Sequence, residues 1–179
     1  MSIRQVARRY AQALADVTEP RGDQGHALEE LRELCRVMRE SPALREAFVS
    51  PAVGRGQKEA LLAAVLQRAK FAKTTENFLR VLLRNERLAH LPEITDEFAA
   101  ELDRRQNVAV IEVCAARALG EEEKQELERR FEQLTSRKVR ISYREDKDLI
   151  GGVVARWGSE VYDGSIRTQL RTLRDQLSR

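Results

Sequence analysis

The feature that most limits what this chain can fold into is a change in hydrophobic period near residue 105. Before it, apolar residues recur every three or four positions; from Asn107 onward they alternate or run together over short stretches. The first period lines one face of a helix and the second lines the faces of a strand. This predicts an all-α six-helix bundle over residues 1–105, followed by a small α+β domain over 106–179. No Gly/Ser-rich linker separates the two, so the change of period is the only boundary marker.

The helical half has clear punctuation. Ile3, Val6, Tyr10, Leu14 and Val17 stand at helical spacing and stop before Pro20-Arg21-Gly22. A second helix begins near Asp23, a residue suited to the N-cap, and places Leu28, Leu31, Leu34, Cys35 and Met38 on one side. It stops before Ser41-Pro42. A short helix from Ala43 to Val49 is closed by Ser50-Pro51 and the glycines 54 and 56. The fourth runs from about Gln57 to Ala69 and the fifth from Thr74 to Asn85. The sixth opens near Leu91-Pro92, where proline fits the first turn, and uses Ile94, Phe98 and Leu102.

In the second half, Val108 to Ala115 is apolar on both faces, as a central strand is. Gly120 to Leu134 returns to a helix with Leu127, Phe131 and Leu134 inside. Val139 to Arg144 alternates cleanly, and Leu149 to Trp157 reads as a strand interrupted by Gly151-Gly152. Val161-Tyr162 forms a brief strand. Asp163-Gly164-Ser165 then starts a last helix with Ile166, Leu170, Leu173 and Leu177 on one stripe.

Two helices carry more apolar surface than the ordinary stripe of about 100°. Helix 1 spans roughly 160° and helix 5 roughly 200° when residues are set about 100° apart. Either helix 5 is simply central, or the two helices bury one side and offer the other to a partner. A groove between such helices suits an incoming amphipathic helix.

Chemistry is hard to find. His26 and His90 have no metal or triad company, and there is no nucleophile elbow, Walker loop or dinucleotide fingerprint. The glycine pair 151–152 is better read as a bulge or close backbone approach than as a phosphate cradle. Glu121 to Glu123 suit a helix N-terminus. Cys35 and Cys114 lie far apart and read as small hydrophobes in a reducing compartment. No enzyme, cofactor or metal is expected. The pI near 9.1 rests on Lys+Arg 32 against Asp+Glu 29, interspersed rather than gathered into a stripe, so a nucleic-acid binder is a weaker reading. No apolar run approaches the roughly 20 residues of a membrane span, and no secretory leader is expected at the N-terminus.

Three stretches, in order, resemble one family. Ala7-Arg8-Arg9-Tyr10-Ala11-Gln12-Ala13-Leu14 resembles the opening helix of the δ (OSCP-type) stator subunits of rotary F-type ATP synthases. Asn77-Phe78-Leu79 through Asn85-Glu86-Arg87-Leu88, then Leu91-Pro92-Glu93-Ile94, is similar to that family's second characteristic run. Leu149-Ile150-Gly151-Gly152-Val153, Gly158 and Asp163-Gly164-Ser165-Ile166-Arg167, with Leu170 and Leu173, is similar to its C-terminal signature, and Ser136 to Val139 also fits. The likeness covers essentially the whole chain. Ser159 stands where the family often has Asp, Trp157 is bulkier than usual, and Gly120 replaces a Ser/Thr cap.

The resemblance implies a non-catalytic clamp on the cytoplasmic face of the bacterial plasma membrane, peripheral to it. It links the catalytic head to the peripheral stalk so that proton-driven rotation is coupled to ATP synthesis. The N-terminal bundle would grip N-terminal helices of the α subunits, through Tyr10, Ala13 and Leu14 on helix 1 and Phe78, Val81 and Leu82 on helix 5. The C-terminal domain would bind the b subunits of the stalk, with Arg167 and Arg174 facing them. Gly151, Gly152, Asp163, Gly164 and Ser165 would be structural. A generic helical adaptor or assembly factor is the rival reading, and it gives no reason for the glycine and Asp-Gly-Ser constellation.

Overall fold

A computed structural model describes residues 2–146, 148–158 and 160–168. Among them the chain is mostly helical, with a small mixed four-stranded sheet on the C-terminal side. It divides into two compact units, Met1–Leu102 and Asp103–Arg179.

The first unit is built on α1 (Ile3–Thr18), α2 (Gln24–Glu40), α3 (Pro42–Val49), α4 (Arg55–Ala69), α5 (Lys73–Arg84) and α6 (Leu91–Arg105), the last running three residues past the unit's boundary. Their ends follow local chemistry. Gly22 takes a left-handed φ of 70° after the 3-10 turn that closes α1, a conformation glycine adopts without a Cβ penalty. Ser41 caps α3 by accepting from the Leu44 N–H at 3.4 Å, with Pro42 in the first turn. Each helix sends apolar side chains to one shared core. Leu31, Leu79, Leu82, Leu91, Ile94 and Phe98 are wholly buried there. At roughly 25 cal/mol per Å² of apolar surface removed from water, such burial is the main force holding the helices together. Cys35 packs against this core, its Sγ 3.5 Å from Thr95 Oγ1, and burial pushes its thiol pKa up.

The second unit holds β1 (Val108–Ala115), α7 (Glu121–Thr135), β2 (Lys138–Glu145), β3 (Val153–Trp157) and β4 (Glu160–Asp163). The strand order is β2-β1-β3-β4. β1 and β2 are parallel, joined through α7, and Ile111 lies opposite Ile141; β3 is antiparallel to both β1 and β4. Ile111, Val113 and Ala155 form the core, with Leu127, Phe131, Val139 and Ile141 packed on it.

Several expectations need correcting in this unit. β1 is central in order, yet only one face is fully buried: Ala109, Ile111, Val113 and Ala115 point inward while Val110 is exposed. Leu134 was expected inside and is 58% exposed, because it does not reach the sheet face that Leu127 and Phe131 cover. The strand expected from Leu149 begins only at Val153, since Gly152 turns the chain with a φ of +81° that no extended strand can hold. Ile166, expected on an inner stripe, is exposed. Its stripe partners Leu170, Leu173 and Leu177 lie outside the described residues. The N-cap of α7 is Gly120, which has no side chain to offer as a cap. Only the return bond is made, from the Gly120 N–H to Glu123 at 2.8 Å, and this bond with Arg117 holds the Glu123 carboxyl below its usual range.

Candidate functional site

On α1 the period that buries one side leaves a second line of apolar residues beside it. Ala7, Ala11, Leu14, Ala15 and Thr18 are buried. Ile3, Val6, Tyr10, Ala13 and Val17 lie within roughly 80° of one another on the adjoining flank. Ile3 and Val17 are 52% and 49% exposed, Ala13 is exposed, and Val6 and Tyr10 are half-buried. α5 repeats the arrangement. Thr75, Leu79, Leu82 and Leu83 face the core, while half-buried Thr74 and Phe78 and exposed Val81 lie on a flank spanning roughly 60°.

The two flanks meet where the Tyr10 and Phe78 rings touch edge to face, centroids 6.5 Å apart. This geometry suits the ring quadrupoles and joins the two apolar flanks at their centre. The Arg9 guanidinium stands 6.0 Å from the Tyr10 centroid and puts positive charge on one rim. Ala13 contributes the smallest side chain in the stripe, which lets a second backbone approach α1 closely.

Of the six residues expected here, Tyr10 and Phe78 are half-buried and Ala13 and Val81 exposed, all four on the two flanks. Leu14 and Leu82 are 2% and 0% exposed and belong to the core beneath them. Sequence reasoning overlooked Thr74 and the acidic residue that fixes the start of α5. That residue is Glu30 on α2, whose Oε1 accepts the Ala72 N–H at 2.6 Å. The only signal for it in the sequence is that the α5 N-cap position is Ala72, which has no capping side chain of its own.

The glycine and Asp-Gly-Ser constellation of the second unit is a backbone crossing. The Gly164 N–H donates to the Val153 carbonyl at 2.9 Å and the Ile166 N–H to the Gly151 carbonyl at 3.0 Å. A Cβ on Gly152 would sit 2.3 Å from the Gly164 oxygen, and one on Gly151 would sit 2.5 Å from Ile166 Cδ1. Asp163 Oδ1 accepts the Ser165 N–H at 2.9 Å, and its Oδ2 accepts the Thr168 hydroxyl at 2.8 Å. Ser165 Oγ in turn accepts the Thr168 N–H at 3.3 Å, so Ser165 starts the helical turn at 166–168. The Ser165 hydroxyl first, then its N–H and the Thr168 hydroxyl, hold the Asp163 carboxyl below its usual range. Arg167 is exposed, with Nη2 3.4 Å from the Asp148 carbonyl; Arg174 lies outside the described residues.

Among the described residues no three His, Cys, Asp or Glu side chains come together as a metal site, and no helix is long and apolar enough to cross a membrane.

The sequence pattern of the family described as ATP synthase delta (OSCP) subunit matches residues 6–177. The ATP synthase subunit delta of Acidobacterium capsulatum is 36% identical over 173 residues, covering 96% of this chain and 97% of that protein. That of Chloroherpeton thalassium is 35% identical over 177 residues, covering 99% and 96%. Among solved structures, a chain of the cryo-EM Toxoplasma gondii mitochondrial ATP synthase hexamer superimposes with a TM-score of 0.66 at 25% identity, covering 97% of both chains.

Proposed function

This chain belongs to the ATP synthase delta (OSCP) subunit family, and from that premise we propose that it clamps the catalytic head of an F-type ATP synthase to its peripheral stalk. It is a structural, non-catalytic subunit of that complex and a peripheral component of it. In the proposal, residues 1–105 act as a six-helix bundle that binds the head, and residues 106–179 bind the stalk on the cytoplasmic face of a bacterial plasma membrane.

The observation that carries the head-facing half is the pair of apolar flanks on α1 and α5 that meet at Tyr10 and Phe78. A chain acting alone gains nothing by leaving Ile3, Val17 and Val81 half in water. An amphipathic helix laid along the flanks buries them through anchors at i, i+3, i+4 and i+7. The N-terminal helix of an α subunit is the proposed guest, and acidic residues on its margin would meet Arg9. For the stalk-facing half, Arg167 and Arg174 are proposed contacts for the b subunits.

Slow release is what such a clamp requires, since it works under torque. An interface of about 1,600 Å² with well-packed central anchors reaches that range. The test is co-purification of the tagged chain from detergent-solubilised membranes. Recovery of α, β and b subunits together is expected; recovery of none of them contradicts the proposal.

A further inference from the structure

We propose that Glu30 is a positioning residue for the groove: its carboxylate caps α5 from α2 and so fixes where the second wall of the groove begins. The inference rests on the reading of the α1 and α5 flanks as a binding site.

A helix N-terminus leaves backbone N–H groups without partners inside the helix. The usual remedy is a Ser, Thr, Asp or Asn at the N-cap, with a Glu or Gln three residues on that reaches back to the N-cap N–H. α5 has neither. Its N-cap is Ala72, and the residue three positions on is Thr75, whose hydroxyl is buried and finds no hydrogen-bond partner among the described residues. Glu30 performs the missing return bond from 42 residues earlier, taking the Ala72 N–H at 2.6 Å. His26 Nε2 lies 3.2 Å from the same oxygen.

Glu30 is only 6% exposed, an unusual depth for a carboxylate. Burial on that scale is tolerated when the charge is hydrogen-bonded and well placed; here both contacts fall on Oε1, while Oε2 is buried with no hydrogen-bond partner among the described residues. A helix N-terminus supplies both a charge-assisted bond and a favourable dipole. A second contact acts two residues along: Arg21, just after α1, donates from Nη1 to Thr74 Oγ1 at 3.1 Å. Phe78 follows Thr74 on the same flank, one turn further. Apolar packing is non-directional and tolerates small sliding of a helix, whereas hydrogen bonds fix a position. The Glu30 bond therefore sets the axial placement of Phe78 and Val81 against Tyr10.

The test uses the full chain with Glu30→Met, which keeps volume but removes the acceptor, and Glu30→Gln, which keeps an acceptor. Met also removes a buried charge, so the fold is expected to persist, with circular dichroism as the check. Amide hydrogen exchange at residues 72–76 and calorimetric affinity for a synthetic α-subunit N-terminal peptide are measured on both. Glu30→Met should speed exchange at those amides and weaken the peptide by about fivefold or more each, the size of a lost cap. Glu30→Gln should restore most of both. Unchanged exchange in Glu30→Met overturns the cap, and faster exchange with unchanged affinity overturns the positioning role. Failure of the wild-type chain to bind the peptide overturns the groove reading itself, and the positioning role with it; the exchange data then still report on the cap alone.

Discussion

Tyr10 on α1 and Phe78 on α5 meet edge to face, with ring planes inclined by 70°. Each ring is half-buried, one edge on the core and one toward solvent. That contact joins the two apolar flanks above the core the helices share, where the proposed groove would lie.

The groove and the core are separable at neighbouring positions. Val81 is 46% exposed while Leu82 is fully buried. Val81→Asp should leave the helical circular dichroism and melting temperature near those of the parent. It should weaken binding of an α-subunit N-terminal peptide by at least about 30-fold, about 2 kcal/mol, because a charge would sit in a dry contact. Leu82→Asp should instead unfold the first unit, since an unpaired buried charge costs more than about 4 kcal/mol. Unchanged peptide affinity in a folded Val81→Asp would remove the groove from this surface.

Two glycines with positive φ should respond differently to alanine. Gly152 (φ +81°) has the Gly164 carbonyl and Ser165 Cα in the way of any Cβ, whereas Gly158 (φ +60°) has nothing within 4 Å. Gly152→Ala should destabilise the second unit by at least about 3 kcal/mol, from the left-handed conformation together with a backbone clash. Gly158→Ala should cost only about 1 kcal/mol. Urea unfolding followed by Trp157 fluorescence measures both.

Asp163 should titrate below the ordinary aspartate value of about 3.9. Its folded pKa is depressed, so the stability linked to it is fully present above the unfolded value and is lost as pH falls through the folded one. Carbon-detected NMR of the side-chain carboxyl follows this directly. Ser165→Ala should raise the value toward normal by more than Thr168→Val does, because the Ser165 hydroxyl is its strongest partner. An ordinary titration in the parent chain would show that these bonds do not hold in solution.

The sequence made the helices of the first unit legible because each has a clean 3.6 period and a marked end, as at Gly22 and Ser41-Pro42. Stripe width on α1 and α5 also pointed to the flanks that the structure exposes. What width could not tell is which edge of a wide stripe turns inward, so Leu14 and Leu82 were grouped with Tyr10 and Val81 although they belong to the core. Glu30 escaped notice because it resembles any other charge on a charged helix until folding brings it to Ala72. In the second unit, apolar character alone overstated burial at Leu134, and Gly152 delayed β3 through a backbone angle that hydropathy does not encode. The close approach foreseen for the glycine pair is there, between residues 151–153 and 164–166.

The central claim is a clamp, which requires both partners to be held by one molecule at the same time. Mass photometry of the full chain mixed with purified catalytic head and a soluble b-subunit dimer tests this most directly. The account predicts a particle with the summed mass of all three, which disappears when the chain is omitted and loses the head when Val81→Asp is used. Head-bound and stalk-bound particles that never combine, or a head–stalk particle of equal abundance without the chain, would contradict it.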